Sequence, residues 1–335
     1  MIKRKRSKFP RIMKSILITG ISGFVGGHFT RFLLDKKTGY DIHGLSRTVP
    51  AWNFFPGSES MLNAITLHQC DLLNTAQLEN IIEQLQPDFI LHLASLSSVA
   101  ESWRAPRTAF LNNTTIFLNI AETVRKSELH TRILSVGSSE EYGIIDPHDL
   151  PITEKRDLSP KNPYAVARVS EENLALVYVK GYNLDICCTR SFNHIGTGQS
   201  DQFVVSSIAR QFAEITVNHT PSVIKIGNGA IIRDFIDIDD VVCAYDALLT
   251  GGISGEVYNV CSGTGHSIRD IVHSLSNLTG IPVTITEDCN RIRLVDNPAL
   301  IGTYDKLQKT TGWTPKIPLE TSLEKIYQFW LNQLS

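Results

Sequence analysis

The feature that most restricts what this chain can fold into lies near its start. Residues Ser15–Thr19 (SILIT) form a short apolar run. It passes directly into Gly20-Ile21-Ser22-Gly23-Phe24-Val25-Gly26, a G-x-x-G-x-x-G turn that opens a helical pattern over Phe24–Asp35. Glycines at that spacing let a backbone turn tightly and come close to a pyrophosphate. The helix start adds unpaired N–H groups and the positive end of its dipole. A glycine motif alone reads equally as an ordinary strand–helix turn. Its position after a strand, before a helix and at the head of a βαβ chain favours a dinucleotide site built from Gly20, Ser22, Gly23, Phe24, Val25 and Gly26.

The alternation continues downstream. Strand-like runs at Asp41–Leu45, Ile65–Cys70, Phe89–Leu93, Arg132–Val136 and Leu184–Thr189 are separated by helical patterns at Ala76–Leu85, Thr108–Val124 and Tyr164–Val179. This pattern predicts a parallel sheet covered by helices on both faces. Right-handed crossovers make it doubly wound, a Rossmann-like α/β fold. After Arg190 the pattern loosens into helices over Phe203–Val217, Asp239–Leu249, Ser267–Leu278 and Leu319–Leu331, with an extended stretch at Val223–Ile226. A smaller α+β portion is expected there, sharing chain segments with the first. The expected division is a basic tail over 1–13, a dinucleotide-binding domain over 14–190 plus about 230–255, and a substrate-binding domain over 191–229 plus 256–335.

Composition removes other classes. At 42% hydrophobic and 20% charged residues the chain is neither disordered nor fibrous. No apolar run approaches the roughly 18–20 residues a membrane helix needs. The net charge of −2 gives no global pull toward nucleic acid, but it is unevenly placed. Residues 1–14 hold seven basic side chains and no acid; the remainder carries 25 basic and 34 acidic ones, a net −9. The basic prefix reads as a solvated tail or as sequence upstream of a start at Met13. A nucleic-acid or membrane tail is the competing reading, and the short apolar stretch that follows argues against a secretory signal. Cys70, Cys187, Cys188, Cys243, Cys261 and Cys289 show neither CxxC nor zinc spacing. They read as small buried hydrophobes in a reducing, cytoplasmic compartment. The histidines form no ligand pattern, so no metal site is expected.

The second strand should carry the group that reads the adenine ribose. An acid at its tip would favour NAD through the 2′-hydroxyl. Here the tip reads Gly44-Leu45-Ser46-Arg47, where Arg47 can pair with a 2′-phosphate and Ser46 can hydrogen-bond it. NADP(H) is therefore favoured, with NAD(H) possible. Asp71, after the third strand, is placed to accept from the adenine amine or to serve near a helix N-terminus.

Tyr164-Ala165-Val166-Ala167-Arg168 puts a phenol and a cation on one helical face. A tyrosine of ordinary pKa near 10 needs roughly 3 units, about 4 kcal/mol, of help to act near neutrality. A fixed neighbouring cation supplies part of that. Upstream, Ser138-Ser139-Glu140-Glu141-Tyr142-Gly143 follows the strand ending at Val136, at the edge that faces the ligand crevice of a doubly wound fold. Ser138 can orient a substrate oxygen there, and Glu140 offers a carboxylate.

With these motifs on the chain, it resembles the extended short-chain dehydrogenase/reductases that act on nucleotide sugars. The resemblance runs from about Lys14 to the C-terminus through TGISGFVG, LHLAS, GSSEEYG, NPYAVAR, FNHIGTGQ, RDFIDIDD and VYNVCSG. Within that family it is most similar to GDP-4-dehydro-6-deoxy-D-mannose reductases, and GDP-mannose 4,6-dehydratases are the related alternative. The resemblance implies Tyr164 as proton donor to the sugar C4 carbonyl, Ser138 as its hydrogen-bond partner and Arg168 at the nicotinamide ribose. It implies cofactor contacts from Leu72, Leu93, Ala94 and Ser95 besides the glycine turn. Ser139, Glu140, Asn193, Arg233 and Arg293 would bind a GDP-linked sugar, and a homodimer would form through the helices at Thr108–Val124 and Tyr164–Val179. One departure stands out. The family carries Lys where this chain has Arg168, and the two cations differ in geometry. Thr197 replaces a common proline and should matter little.

Overall fold

The computed structural model describes residues 13–37, 39–219, 221–288, 291 and 297–335. Residues 1–12, Cys289 and Arg293 of the sequence reading lie outside them. The first half builds β1 (Ser15–Thr19), α1 (Phe24–Asp35), β2 (Asp41–Ser46), α2 (Ser58–Asn63), β3 (Thr66–Gln69), α3 (Thr75–Leu85), β4 (Phe89–His92), α4 (Val99–Arg104), α5 (Pro106–Lys126) and β5 (Arg132–Ser138). Then come α6 (Pro163–Tyr182), β6 (Asp185–Ser191), β7 (Asn193–Ile195), α7 (Val204–Asn218), β8 (Val223–Ile226), β9 (Ile232–Asp237) and α8 (Ile238–Gly251). The chain finishes with β10 (Val257–Val260), β11 (Gly265–Ser267), α9 (Ile268–Thr279), β12 (Thr284–Glu287), β13 (Ala299–Leu300), α10 (Asp305–Thr311) and α11 (Leu319–Leu334).

Seven strands form one parallel sheet in the order β10-β6-β5-β4-β1-β2-β3. This is the doubly wound sheet expected from the alternation. Every residue of β1 is buried, because helices cover both faces. Its side chains divide by parity. Ile16 and Ile18 join one core with Phe29 and Leu33 of α1 and Val241 and Leu248 of α8. Leu17 joins the other with Leu78 and Ile82 of α3 and Ile116, Phe117 and Ile120 of α5. The order reverses between β1 and β4, and that switch point is where such sheets open a ligand crevice. Residues 257–260 complete the large sheet by pairing with β6, although the loosened pattern around them gives no hint of a strand there.

The smaller portion is a four-stranded sheet, β11-β9-β13 with β7 beside β9, and a β8–β12 pair. Its core lies among α7, α9 and α11, where Ile208, Phe212, Ile271, Leu275, Leu323 and Ile326 meet. Among the described residues no helix is long and apolar enough to cross a membrane.

Candidate active site

The glycine turn is built for close approach. Gly20 sits at φ +68°, and a Cβ there would lie 2.8 Å from the backbone nitrogen of Ala94. The turn after β1 is thereby pressed against the end of β4. Thr19 Oγ1 accepts from the backbone N–H groups of Leu93 (3.2 Å) and Ala94 (3.3 Å), joining the same two ends. Gly23 is the N-cap of α1, with no side-chain cap and no acid in the first turn. A Cβ on Gly23 would meet only one backbone oxygen, at 3.3 Å. An uncapped helix start with an open surface and no competing carboxylate fits a pyrophosphate. Trp52 braces the turn from outside, its Nε1–H donating to the Ile21 carbonyl at 3.1 Å. No sequence signal marked Trp52.

At the tip of β2, Arg47 is exposed and Ser46 is turned onto its own loop, donating to the Thr48 carbonyl at 2.6 Å. Asp71 Oδ1 accepts from the Leu73 N–H at 3.0 Å. Asn74, not Asp71, caps α3. Leu72 is buried, and Ser95 lies half-buried beyond β4.

The second cluster forms where β5 ends and α6 begins. Ser138 caps a single 3₁₀ turn, Ser139–Tyr142, accepting from the Glu140 N–H at 3.2 Å, while its own N–H donates to Glu141 at 2.6 Å. Glu140 Oε2 accepts from the Asn162 side-chain amide at 2.9 Å, and Asn162 Oδ1 caps α6 through the Ala165 N–H at 2.8 Å. One asparagine thus ties the Ser138–Glu140 turn to the helix that carries Tyr164. The sequence reading missed it, though Asn followed by Pro163 is a readable helix start.

Tyr164 and Arg168 face the sheet together, as their spacing predicts. Arg168 Nε–H donates to the Tyr164 hydroxyl at 3.3 Å, and Nη1–H donates to Glu171 at 2.9 Å. The guanidinium is only 4% exposed. Burial opposes its charge, but Tyr164 and Glu171 outweigh that and keep it firmly protonated. Behind it lie Glu141, Glu171 and Glu172, all buried. Glu172 takes a two-point pair from Arg190 at 2.9 and 2.7 Å. Burial, with Glu172 beside it, pushes the Glu141 carboxyl well above its ordinary value. Buried His92 is held neutral: burial, then the Arg168 charge, lower its pKa to about 3.

Of the substrate residues assigned by resemblance, Ser138, Ser139 and Glu140 lie where β5 ends, and Asn193 and Arg233 sit in the smaller portion. Asn193 lies exposed on β7, paired with Phe235 of β9. Arg233 of β9 is buried, and its Nη1 donates to the carbonyls of Ile232 and Asn297. Asp234 beside it anchors this region, accepting from Ser262, Gly263 and Gly302. Among the described residues no group of three or more His, Cys, Asp or Glu could hold a metal ion.

A glycine turn at the switch point and a tyrosine–cation pair beside the end of β5 define an NAD(P)-dependent enzyme of the extended short-chain dehydrogenase/reductase type. The family model described as GDP-mannose 4,6 dehydratase matches residues 17–326, and the chain belongs to that family. It is 32% identical to the GDP-6-deoxy-D-mannose reductase of Pseudomonas aeruginosa over 319 residues, covering 95% of this chain and 98% of that one. It is 26% identical to a GDP-mannose 4,6-dehydratase of Yersinia enterocolitica, covering 92% and 91%. The solved structure of RMD from Pseudomonas aeruginosa complexed with NADPH superposes with a TM-score of 0.83 at 31% identity, over 96% of this chain and 99% of that one.

Proposed function

We propose that this protein reduces the C4 keto group of GDP-4-dehydro-6-deoxy-D-mannose to GDP-D-rhamnose with NADPH. The observation that carries the reading is the 32% identity to a GDP-6-deoxy-D-mannose reductase along nearly the whole of both chains. The NADPH in the similar solved structure supports the choice of cofactor, as does the exposed Arg47 at the tip of β2. The pyrophosphate belongs against Gly20–Gly26 and the adenosine end near Ser46, Arg47, Asp71 and Leu72. When bound, the dinucleotide supplies the hydride.

The chain's own residues handle the proton and the carbonyl oxygen. Tyr164 gives its hydroxyl proton to the oxygen that becomes the C4 alcohol, and Ser138 donates a hydrogen bond to the same oxygen. The Arg168 N–H aimed at the phenol oxygen stabilises the negative charge left behind. Asn193 touches the sugar or its pyrophosphate, and Arg233 and Arg293 bind the nucleotide diphosphate; Asn193 and Arg233 stand on the neighbouring strands β7 and β9 of the smaller sheet. The protein works in the cytoplasm as a homodimer. Exposed Phe110 and Leu111 on α5 and Val166 and Val177 on α6 supply an apolar face for a second copy.

A dehydratase is the second reading, supported by the 26% identical dehydratase; the Glu140 carboxylate suits either enzyme. The test supplies GDP-4-dehydro-6-deoxy-D-mannose with NADPH, then NADH, following absorbance and product configuration at C4. NADPH oxidation yielding the rhamnosyl product is expected. No oxidation at high enzyme concentration sinks the reductase, and conversion of GDP-mannose without added NADPH installs the dehydratase. Tyr164→Phe should lower turnover by roughly 10²–10⁴-fold while NADPH binding is kept.

A further inference from the structure

Position 168 holds an arginine whose fork is used at two separate atoms. Nε serves Tyr164, and Nη1 serves Glu171. Glu171 is itself anchored. Its other oxygen accepts from the Ser135 hydroxyl of β5 at 2.7 Å. His92 of β4, in register with Ser135, stands 3.7 Å away, too far for a hydrogen bond. Residues 164, 168 and 171 follow the i, i+4, i+7 stripe of α6 that faces the sheet. Every member of the set is buried: Tyr164, Arg168, Glu171, Ser135 and His92.

From this geometry we infer that Glu171 is a positioning residue: it fixes the Arg168 fork so that Nε–H points at the Tyr164 hydroxyl, and the two form a matched pair that lysine at 168 does not fit. The inference rests on the reading of Tyr164 as proton donor. A buried guanidinium needs a partner for its charge, and a carboxylate held by β5 gives it one fixed address. Glu141 and Glu172 do not compete for it. Glu172 is taken by Arg190, and Glu141 accepts from the Ser138 N–H at 2.6 Å. An ammonium carries its three donors on one nitrogen at the end of a flexible stem, and has no second nitrogen held at a fixed distance as the guanidinium has. Lysine at 168 is drawn to the buried Glu171 carboxylate, away from the phenol; turned to the phenol, it leaves that carboxylate unpaired.

The test reads the Tyr164 ionisation by near-ultraviolet tyrosinate absorbance, isolated by subtracting the Tyr164→Phe protein, with no substrate present. If Glu171 were only a nearby negative charge, Glu171→Ala would make the phenol easier to ionise. As a positioning residue its loss frees the fork, and ionisation becomes about tenfold harder, as expected for losing a hydrogen bond to a charged group. Arg168→Lys should shift the titration the same way, and Arg168→Lys/Glu171→Ala should bring it back toward the parent protein. Turnover should follow, with the double variant faster than Arg168→Lys alone. Glu172→Gln, which breaks the neighbouring pair, should leave the Tyr164 titration in place. An unchanged or easier ionisation in Glu171→Ala overturns the inference. Should that variant not fold, an Arg168→Lys titration that does not rise overturns it equally. Because the titration needs no substrate, failure of the proposed reaction is seen separately, as absent turnover in the parent protein.

Discussion

Two glycines inside helices separate intrinsic propensity from tertiary packing. Gly26 is in the first turn of α1, and Gly181 is near the end of α6. Replacing a helical glycine by alanine gains roughly 0.5–1 kcal/mol where nothing is in the way. At Gly181 nothing lies within 4 Å of the new Cβ, so Gly181→Ala should gain that amount. At Gly26 the new Cβ would stand 2.6 Å from Ile21 Cα, 2.6 Å from its carbonyl oxygen and 2.7 Å from the Gly20 oxygen. All three are backbone atoms and cannot rotate aside. Overpacking of this kind costs about 1–3 kcal/mol, and a backbone clash belongs at the upper end. After the helix gain is returned, Gly26→Ala should be about 2 kcal/mol less stable than the parent, and the two variants should differ by about 3 kcal/mol. Urea unfolding of both proteins without cofactor measures this. NADPH titration by fluorescence measures the second consequence: Gly26→Ala lifts the turn out of shape and weakens binding, while Gly181→Ala leaves it alone. A Gly26→Ala protein as stable as the parent, with unchanged NADPH affinity, refutes the close-packed turn.

Three further outcomes follow from other sites. His92 is neutral when folded, with a pKa near 3, and ordinary when unfolded, so the unfolded chain binds the extra proton as pH falls below about 6.5. The parent should therefore lose up to about 1.4 kcal/mol more per pH unit than His92→Gln between pH 6.5 and 3, and parallel stability profiles would count against it. Glu172→Gln leaves the Arg190 guanidinium buried without its carboxylate and should cost about 3–5 kcal/mol in urea unfolding. Arg47→Ala should weaken NADPH while leaving NADH unchanged; equal losses for both cofactors would remove Arg47 from the 2′-phosphate.

Six strands of the large sheet were legible from the alternation with helices, most plainly β1 and β4, whose burial on both faces leaves the apolar runs SILIT and FILH; β10, equally buried, lies where that alternation has loosened and was not. The tyrosine–arginine pair was legible because helical spacing alone puts both on one face. The short strands β7, β11 and β13 were not, since two or three residues carry no period and each is made by pairing with the distant β9. Glu141, Glu171 and Glu172 look like ordinary solvated charges in the sequence, where nothing distinguishes them from Glu79 or Glu83. Asn162 was readable as a helix cap, but its hold on Glu140 required β5 and α6 to meet.

The sequence by itself determined the alternating fold, the phosphate-binding turn and the face shared by Tyr164 and Arg168, because each depends on residues within one turn or one strand. Only the tertiary structure decided where the Arg168 fork points. Ser135 and Glu171 are 36 positions apart, and they meet because α6 lies on β5. Excluding water there turns an ordinary glutamate into the fixed partner of a buried cation.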